Sequence, residues 1–369
     1  MSDYADVGKN LSEISQLLNV QIEGNSSENE EKVLGKINYE TGYKSNKSRN
    51  RILFGAPGTG KSYRLKGDLE DLLASGGDYE RVTFHPDYSY ANFVGTYKPV
   101  PSKDSEGKDI ITYSYVPGPF MRVYVKALQN SKTDSIKPFV LVIEEINRAN
   151  VAAVFGDIFQ LLDRTNKNIS EFPIQASEDV KKYLTETLEC TESEIEKIKI
   201  PDNMFIWATM NSADQGVYPL DTAFKRRWDF TYLGIDNSDD KIAGKKVILG
   251  KGSYRRVVEW NELRKAINAE LLANHHVNED KLMGAFFIAK KYIPETEYFD
   301  ADAFSEIFKN KVLMYLFDDA AKQRPQLLFA NSKVNNLYSA ICEDFDEKGV
   351  SIFCDSIKNR FTDIPSDGE

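Results

Sequence analysis

The sequence predicts an α/β fold: a three-layer core on a parallel sheet, followed by a small α-helical lid. Three observations predict it. Short apolar runs alternate with helical segments between about residues 48 and 236, and continuous runs of this kind fit parallel strands buried on both faces. The stretch GAPGTGKS at 55–62 satisfies G-x-x-x-x-G-K-[ST], and it stands between an apolar run and a helical segment, the context a phosphate loop requires. Beyond 236 the pattern turns helical.

The elements follow in order. Residues 1–24 carry Leu11, Ile14, Leu17, Leu18 and Val20 at helical spacing, and 25–50 are polar, charged and aperiodic, which reads as a linker or lead-in. The candidate strands are Arg51–Ala56, Arg81–Phe84, Phe139–Ile143, Met204–Thr209 and Phe230–Gly234. Helical patterns cover Tyr63–Ala74, Phe120–Asn130 and Ala152–Asp163. Two excursions interrupt them: a Tyr/Gly/Pro-rich stretch at 88–119 with a turn at SEGKD, and residues 165–203 with helices at Ser177–Glu189 and Glu192–Lys199. The lid helices are Val257–Ala273, Asp302–Phe317 and Lys333–Asp344. The division is 1–47, 48–236 and 237–369, with nucleotide at the carboxyl ends of the strands.

Composition narrows the class. No stretch approaches eighteen consecutive apolar residues, so no membrane partner is expected. Three scattered cysteines and three histidines give no zinc spacing and suit a reducing cytoplasm. A net charge of −10 argues against broad DNA binding by the isolated chain. It leaves DNA contact to a pore or loop of an assembly.

Four blocks carry the chemistry. In the first, successive backbone N–H groups surround phosphates, Lys61 reaches the β- and γ-phosphates, and Ser62 ligates Mg²⁺. In VLVIEEINRAN (140–150) two carboxylates follow an apolar strand. Glu144 is placed to hold a Mg²⁺-bound water and Glu145 to polarise the attacking water. Asn211 ends the strand in WATMNSAD (207–214), where an amide can hold that water or touch the γ-phosphate. Arg226 and Arg227, in FKRRWDF (224–230), can complete a neighbouring subunit's site as an arginine finger, or cap a helix dipole. His85, in FHPDYSY, reads as a packed or capping histidine.

Together these residues resemble the AAA+ superfamily, and within it the McrB-type motor subunits of modification-dependent restriction systems. The resemblance spans about 48–330 and rests on FHPDYSYANFVGTYKP (84–99), VPGPF (116–120), EEINRAN (144–150), MNSAD (211–214), FKRRWDF and LMGAFF (282–287). It implies a hexameric ring with nucleotide between subunits, and a nuclease subunit of the McrC kind or another effector as partner in restriction or phage defence. It places nucleotide on Gly55, Pro57, Gly58, Thr59, Gly60, Lys61, Ser62 and Tyr63, with Asn147 and Arg148 after the carboxylates. Metal falls to Ser62 and Glu144, catalysis to Glu145, Asn211, Arg226 and Arg227.

The chain departs from that pattern at three points. Glu144 replaces the usual aspartate, Gln215 replaces the arginine that usually ends MNTADR, and the stretch before residue 48 is too short for a DNA-reading module. No arginine of the lid stands out as a second sensor, and Lys281 is the substitute candidate. The expected activity is Mg²⁺-dependent hydrolysis of ATP or GTP, with ATP favoured. The alternatives are a protein-remodelling chaperone of the same superfamily and a nucleotide-gated scaffold with little hydrolysis.

Overall fold

The computed structural model describes residues 36–212 and 216–362. The amphipathic stretch within 1–24 and Gln215 lie outside them. In chain order the strands are β1 (Asn50–Gly55), β2 (Asp78–Thr83), β3 (Gly95–Lys103), β4 (Asp109–Pro117), β5 (Phe139–Glu144), β6 (Ile174–Gln175), β7 (Lys197–Ile198), β8 (Met204–Asn211), β9 (Asp229–Tyr232), β10 (Lys246–Leu249) and β11 (Arg256–Glu259). The five apolar runs form one sheet in the order β2-β5-β8-β1-β9, parallel throughout.

Side-chain alternation along these strands makes the three layers. Leu53, Val140, Val142, Phe205 and Trp207 point to one face and pack under Leu65, Leu69 and Leu72 of helix Lys61–Leu72. Ile52, Leu141, Ile143, Ile206 and Ala208 point to the other, where the helices Pro119–Asn130, Val151–Phe155 and Glu178–Leu188 close the larger core. The 88–119 excursion is an antiparallel hairpin of β3 and β4. Asp104 shapes its turn by accepting from the backbone N–H groups of Glu106 and Lys108, both at 2.9 Å.

Several boundaries differ from the sequence reading. The expected helix at Ala152–Asp163 gives way after Phe155 to 3₁₀ turns over Gly156–Leu162. That at Glu192–Lys199 stops at Ile195, and its end pairs with β6. Residues 36–49 are not a linker. Asp202 accepts from the backbone N–H groups of Thr41 (3.0 Å), Gly42 (2.8 Å) and Tyr43 (3.2 Å). Arg49 is buried, donating to the Asp202 and Tyr43 carbonyls with its guanidinium 4.4 Å above the Phe205 ring. The partner that orders this segment stands 160 residues away, beyond any local pattern.

The lid has its own core around Trp260, Leu263, Ile267, Phe304, Phe308 and Phe345. It is not purely helical, because β10 and β11 form an antiparallel ribbon ahead of helix Trp260–Asn274. The signal was legible: two β-branched runs, KVIL and RVVE, flank a stretch holding Gly250 and Gly252. The expected helix at Asp302–Phe317 is α-helical over Ala301–Ile307 and then widens into π turns at Phe308–Leu313 and Leu316–Ala320. No helix among the described residues is long and apolar enough to cross a membrane.

Candidate nucleotide site

The parallel register brings the carboxyl ends of β1, β5 and β8 together, with Gly55 opposite Asn211 and Ile143 opposite Ala208. Three of the four sequence blocks therefore meet at one edge. The loop after β1 turns through Gly58 (φ 76°) and Gly60 (φ 87°), left-handed positions that favour glycine, into helix Lys61–Leu72. Thr59 is buried and its hydroxyl donates to the Ala56 carbonyl at 3.0 Å. The Lys61 ammonium donates to the carbonyls of Gly55 (3.0 Å) and Ala56 (2.9 Å), which holds the cation at the mouth of the loop.

Beside the loop, the Ser62 hydroxyl lies 3.3 Å from Glu144 Oε2, and the Thr209 hydroxyl also donates to that oxygen. Arg81 Nη1 lies 3.2 Å from Glu144 Oε1. The next carboxylate, Glu145, leaves the strand in a left-handed conformation (φ 56°, ψ 47°). A non-glycine residue held there costs about 1–3 kcal/mol, and such outliers gather at functional sites. Asn211 Nδ2 donates to Glu145 Oε1 at 2.7 Å, and Arg148 stands 3.5 Å from Glu145 Oε2. Asn147 is buried. Its amide donates to the Asn211 carbonyl at 2.8 Å and its carbonyl accepts from the Tyr218 N–H at 2.8 Å. Its Oδ1 is buried without a protein partner. Asn150 caps the following helix from Val151 by accepting from the Ala153 N–H.

The lid touches the loop directly. The N–H groups of Gly284 and Phe286 donate to the carbonyls of Pro57 (2.9 Å) and Gly58 (2.7 Å). Tyr232, at the end of β9, donates to Glu279 at 2.6 Å, and burial followed by that carboxylate pushes its phenol up to about 12. Between lid and loop helix lies a cleft of about 510 Å³ lined by Gly60, Tyr63, Leu233, Asn237, Lys241 and Phe286. Tyr63 is 57% exposed there, with the ammoniums of Lys241 and Lys290 at 5.3 and 5.2 Å from its ring centre. Lys281 lines a different cavity with His275 and Arg324.

The two arginines separate. Arg227 pairs with Asp163 at 2.7 Å, donates to the Ala223 carbonyl and lies 4.1 Å over the Phe159 ring. It has a structural task within its own chain. Arg226 is exposed, and its side chain has no hydrogen bond or ion pair among the described residues. His85 is exposed rather than packed, and meets Tyr88 edge-on.

Sequence reasoning missed Arg81 and Thr209, which reach Glu144 from the strands on either side of β5, and the role of Gly284 and Phe286. Only the strand order identifies the first pair. The lid residues had stood out only as a pattern, LMGAFF, without a contact.

Comparison with known proteins adds to this geometry. The AAA domain family (dynein-related subfamily) matches residues 50–228. Component YdiS of the type II restriction enzyme BsuMI of Bacillus subtilis is 42% identical over 319 residues, covering 81% of this chain and 86% of that protein. The McrB subunit of the type IV methyl-directed restriction enzyme EcoKMcrB of Escherichia coli is 28% identical over 295 residues. That match covers 75% of this chain and 56% of the McrB subunit.

Proposed function

The chain belongs to the McrB-type AAA+ family of restriction-system subunits, and on that premise we propose that it is a Mg²⁺-dependent ATPase forming a ring motor that drives a nuclease subunit. The observation that carries the motor reading is a contrast between the two ends of the sheet, Glu145 after the carboxyl end of β5 and Arg226 near the amino ends of β1 and β9. Glu145 is strained, aimed and hydrogen-bonded by Asn211, whereas Arg226 is exposed and lacks a partner in its own chain among the described residues. Hydrolysis needs a cation at the developing charge. Arg226 is the one we assign to act across a subunit interface.

The residues present fit nucleotide and metal. The donors beside the loop, the Ser62 hydroxyl and the Glu144 carboxylate, are the hard oxygens Mg²⁺ prefers, and Mg²⁺ usually takes one or two carboxylates plus phosphate oxygens. When bound, Mg²⁺ neutralises charge on the β- and γ-phosphates. The chain supplies the rest. Loop N–H groups hold the phosphates, Lys61 reaches them while held by the Gly55 and Ala56 carbonyls, and Glu145 orients and polarises water with Asn211 fixing its carboxylate.

Adenine is the proposed base. Asp68, the buried carboxylate at the cleft, is taken by Lys47 (2.6 Å) and Arg51 (2.7 Å), and so is not offered to the N–H groups of guanine. DNA is reached through the assembled ring and its partner.

Subunit mixing tests the reading. Arg226→Ala and Lys61→Ala proteins should each lose turnover, and their mixture should regain part of it, because an intact loop then meets an intact arginine. No recovery at any ratio, or full activity of Arg226→Ala alone, removes the shared site. Parallel ATP and GTP turnover, with and without DNA and the nuclease subunit, tests base and load.

A further inference from the structure

Both carboxylate oxygens of Glu144 have partners within the chain. One oxygen accepts from Ser62 (3.3 Å) and Thr209, and the other faces the Arg81 guanidinium at 3.2 Å. Arg81 lies on β2, the edge strand, where Thr83 is in register with Glu144 and Arg81 with Val142. A glutamate at this position extends one methylene further from the strand end than an aspartate, which brings its carboxylate within reach of the neighbouring edge strand. The Glu144 side chain is 14% exposed and that of Arg81 38%, so solvent screens the pair in part. Ser62 and Glu144 would hold a divalent ion directly or through one of its waters, and the Arg81 guanidinium on the other carboxylate oxygen would lie near it.

We propose that Arg81 is a positioning residue that competes with the divalent cation for Glu144, so that the metal enters with nucleotide rather than ahead of it. Without nucleotide, the guanidinium on Oε1 already offsets the carboxylate charge, so a cation on the Ser62 side gains little from it. With nucleotide, the triphosphate adds several negative charges beside Ser62, and the balance turns toward the divalent ion. The pair thereby makes metal binding conditional on nucleotide. The inference rests on Ser62 and Glu144 being the metal side.

Mn²⁺ binding, followed by loss of the free-ion electron paramagnetic resonance signal, tests this without any turnover. The full chain is titrated with and without a non-hydrolysable ATP analogue. The parent should bind Mn²⁺ weakly alone and tightly with the analogue. Arg81→Gln should bind Mn²⁺ alone about tenfold more tightly than the parent, and Arg81→Lys, which keeps the charge, should stay near the parent value. Thermal melting establishes that each variant is folded. An unchanged or weaker Mn²⁺ affinity in folded Arg81→Gln, or equal tightening in Arg81→Lys, overturns the competition. Glu144→Gln separates the two levels: if it binds Mn²⁺ with the analogue as tightly as the parent does, the metal assignment itself fails.

Discussion

Replacing Gly284 by alanine should uncouple the region after residue 236, the proposed lid, from the phosphate loop. A Cβ built at Gly284 would lie 2.5 Å from both the Gly58 carbonyl carbon and the Thr59 nitrogen, and 2.7 Å from the Gly58 oxygen. All three are backbone atoms, in a loop that must keep its shape to hold phosphate. Relief therefore comes from the lid segment backing away by about 0.5–1 Å, since overpacking of this kind costs about 1–3 kcal/mol if nothing moves. That retreat stretches the bonds from Gly284 N–H to Pro57 and from Phe286 N–H to Gly58, each worth about 0.5–1.5 kcal/mol. It also withdraws the Phe286 ring from the cleft beside Tyr63. A net loss of about 2 kcal/mol corresponds to about thirtyfold in nucleotide affinity.

Two measurements check this. Titration with a fluorescent ATP analogue should show the weakened affinity. Hydrogen exchange should show faster loss of protection at the Gly284 and Phe286 amides, with the amides of β5 and β8 unchanged, because the core does not depend on the contact. Gly67→Ala is the control. Gly67 lies within helix Lys61–Leu72, and an added Cβ there meets nothing within 4 Å, so the variant should be stabler by about 0.5–1 kcal/mol and keep the protection of the Gly284 and Phe286 amides. Parental nucleotide affinity together with unchanged amide protection in Gly284→Ala would falsify the reasoning.

Other perturbations act on separate parts of the molecule. Glu145→Gln should retain nucleotide and lose turnover by a factor of about 10²–10⁴, read in single-turnover hydrolysis; undiminished turnover removes Glu145 from the chemistry. Arg227→Ala should lower stability by about 1–3 kcal/mol, by stranding Asp163 and uncovering Phe159, whereas Arg226→Ala should leave denaturant midpoints unchanged. The reverse pattern would exchange their roles. Asp202→Ala should release residues 36–49, costing about 3 kcal/mol from the backbone hydrogen bonds it accepts, and limited proteolysis should then cut within that segment.

What was legible in the sequence follows from the range of each interaction. The phosphate loop, the strand-end carboxylates and Asn211 are local patterns whose chemistry needs only a strand and a turn, and the parallel register then brings them together. Arg81 and Thr209 belong to the same cluster, yet nothing near them in the chain marks them, because their common partner is set by strand order. Arg226 and Arg227 show the opposite difficulty. Adjacent residues of one type look interchangeable in a sequence, and only the placement of Asp163 and Phe159 gives one of them a task within its own chain.

The loop joins these two kinds of information. A peptide plane presents its N–H and its carbonyl on opposite sides, so a loop that turns its N–H groups toward phosphate must turn carbonyls elsewhere. Here the carbonyls of Gly55 and Ala56 meet Lys61, and those of Pro57 and Gly58 meet the lid. Lys61 gives two of its three N–H donors to those carbonyls and so ties phosphate to the loop, and Pro57 and Gly58 lie within the same loop. A shift in the loop as phosphate binds or departs therefore changes the acceptors that the lid holds. Lys281 lines a separate cavity, while Lys241 and Lys290 stand beside Tyr63 at the cleft. Lid position should follow loop geometry through Gly284 and Phe286, and salt should weaken those two backbone hydrogen bonds little compared with its effect on the Arg81–Glu144 pair.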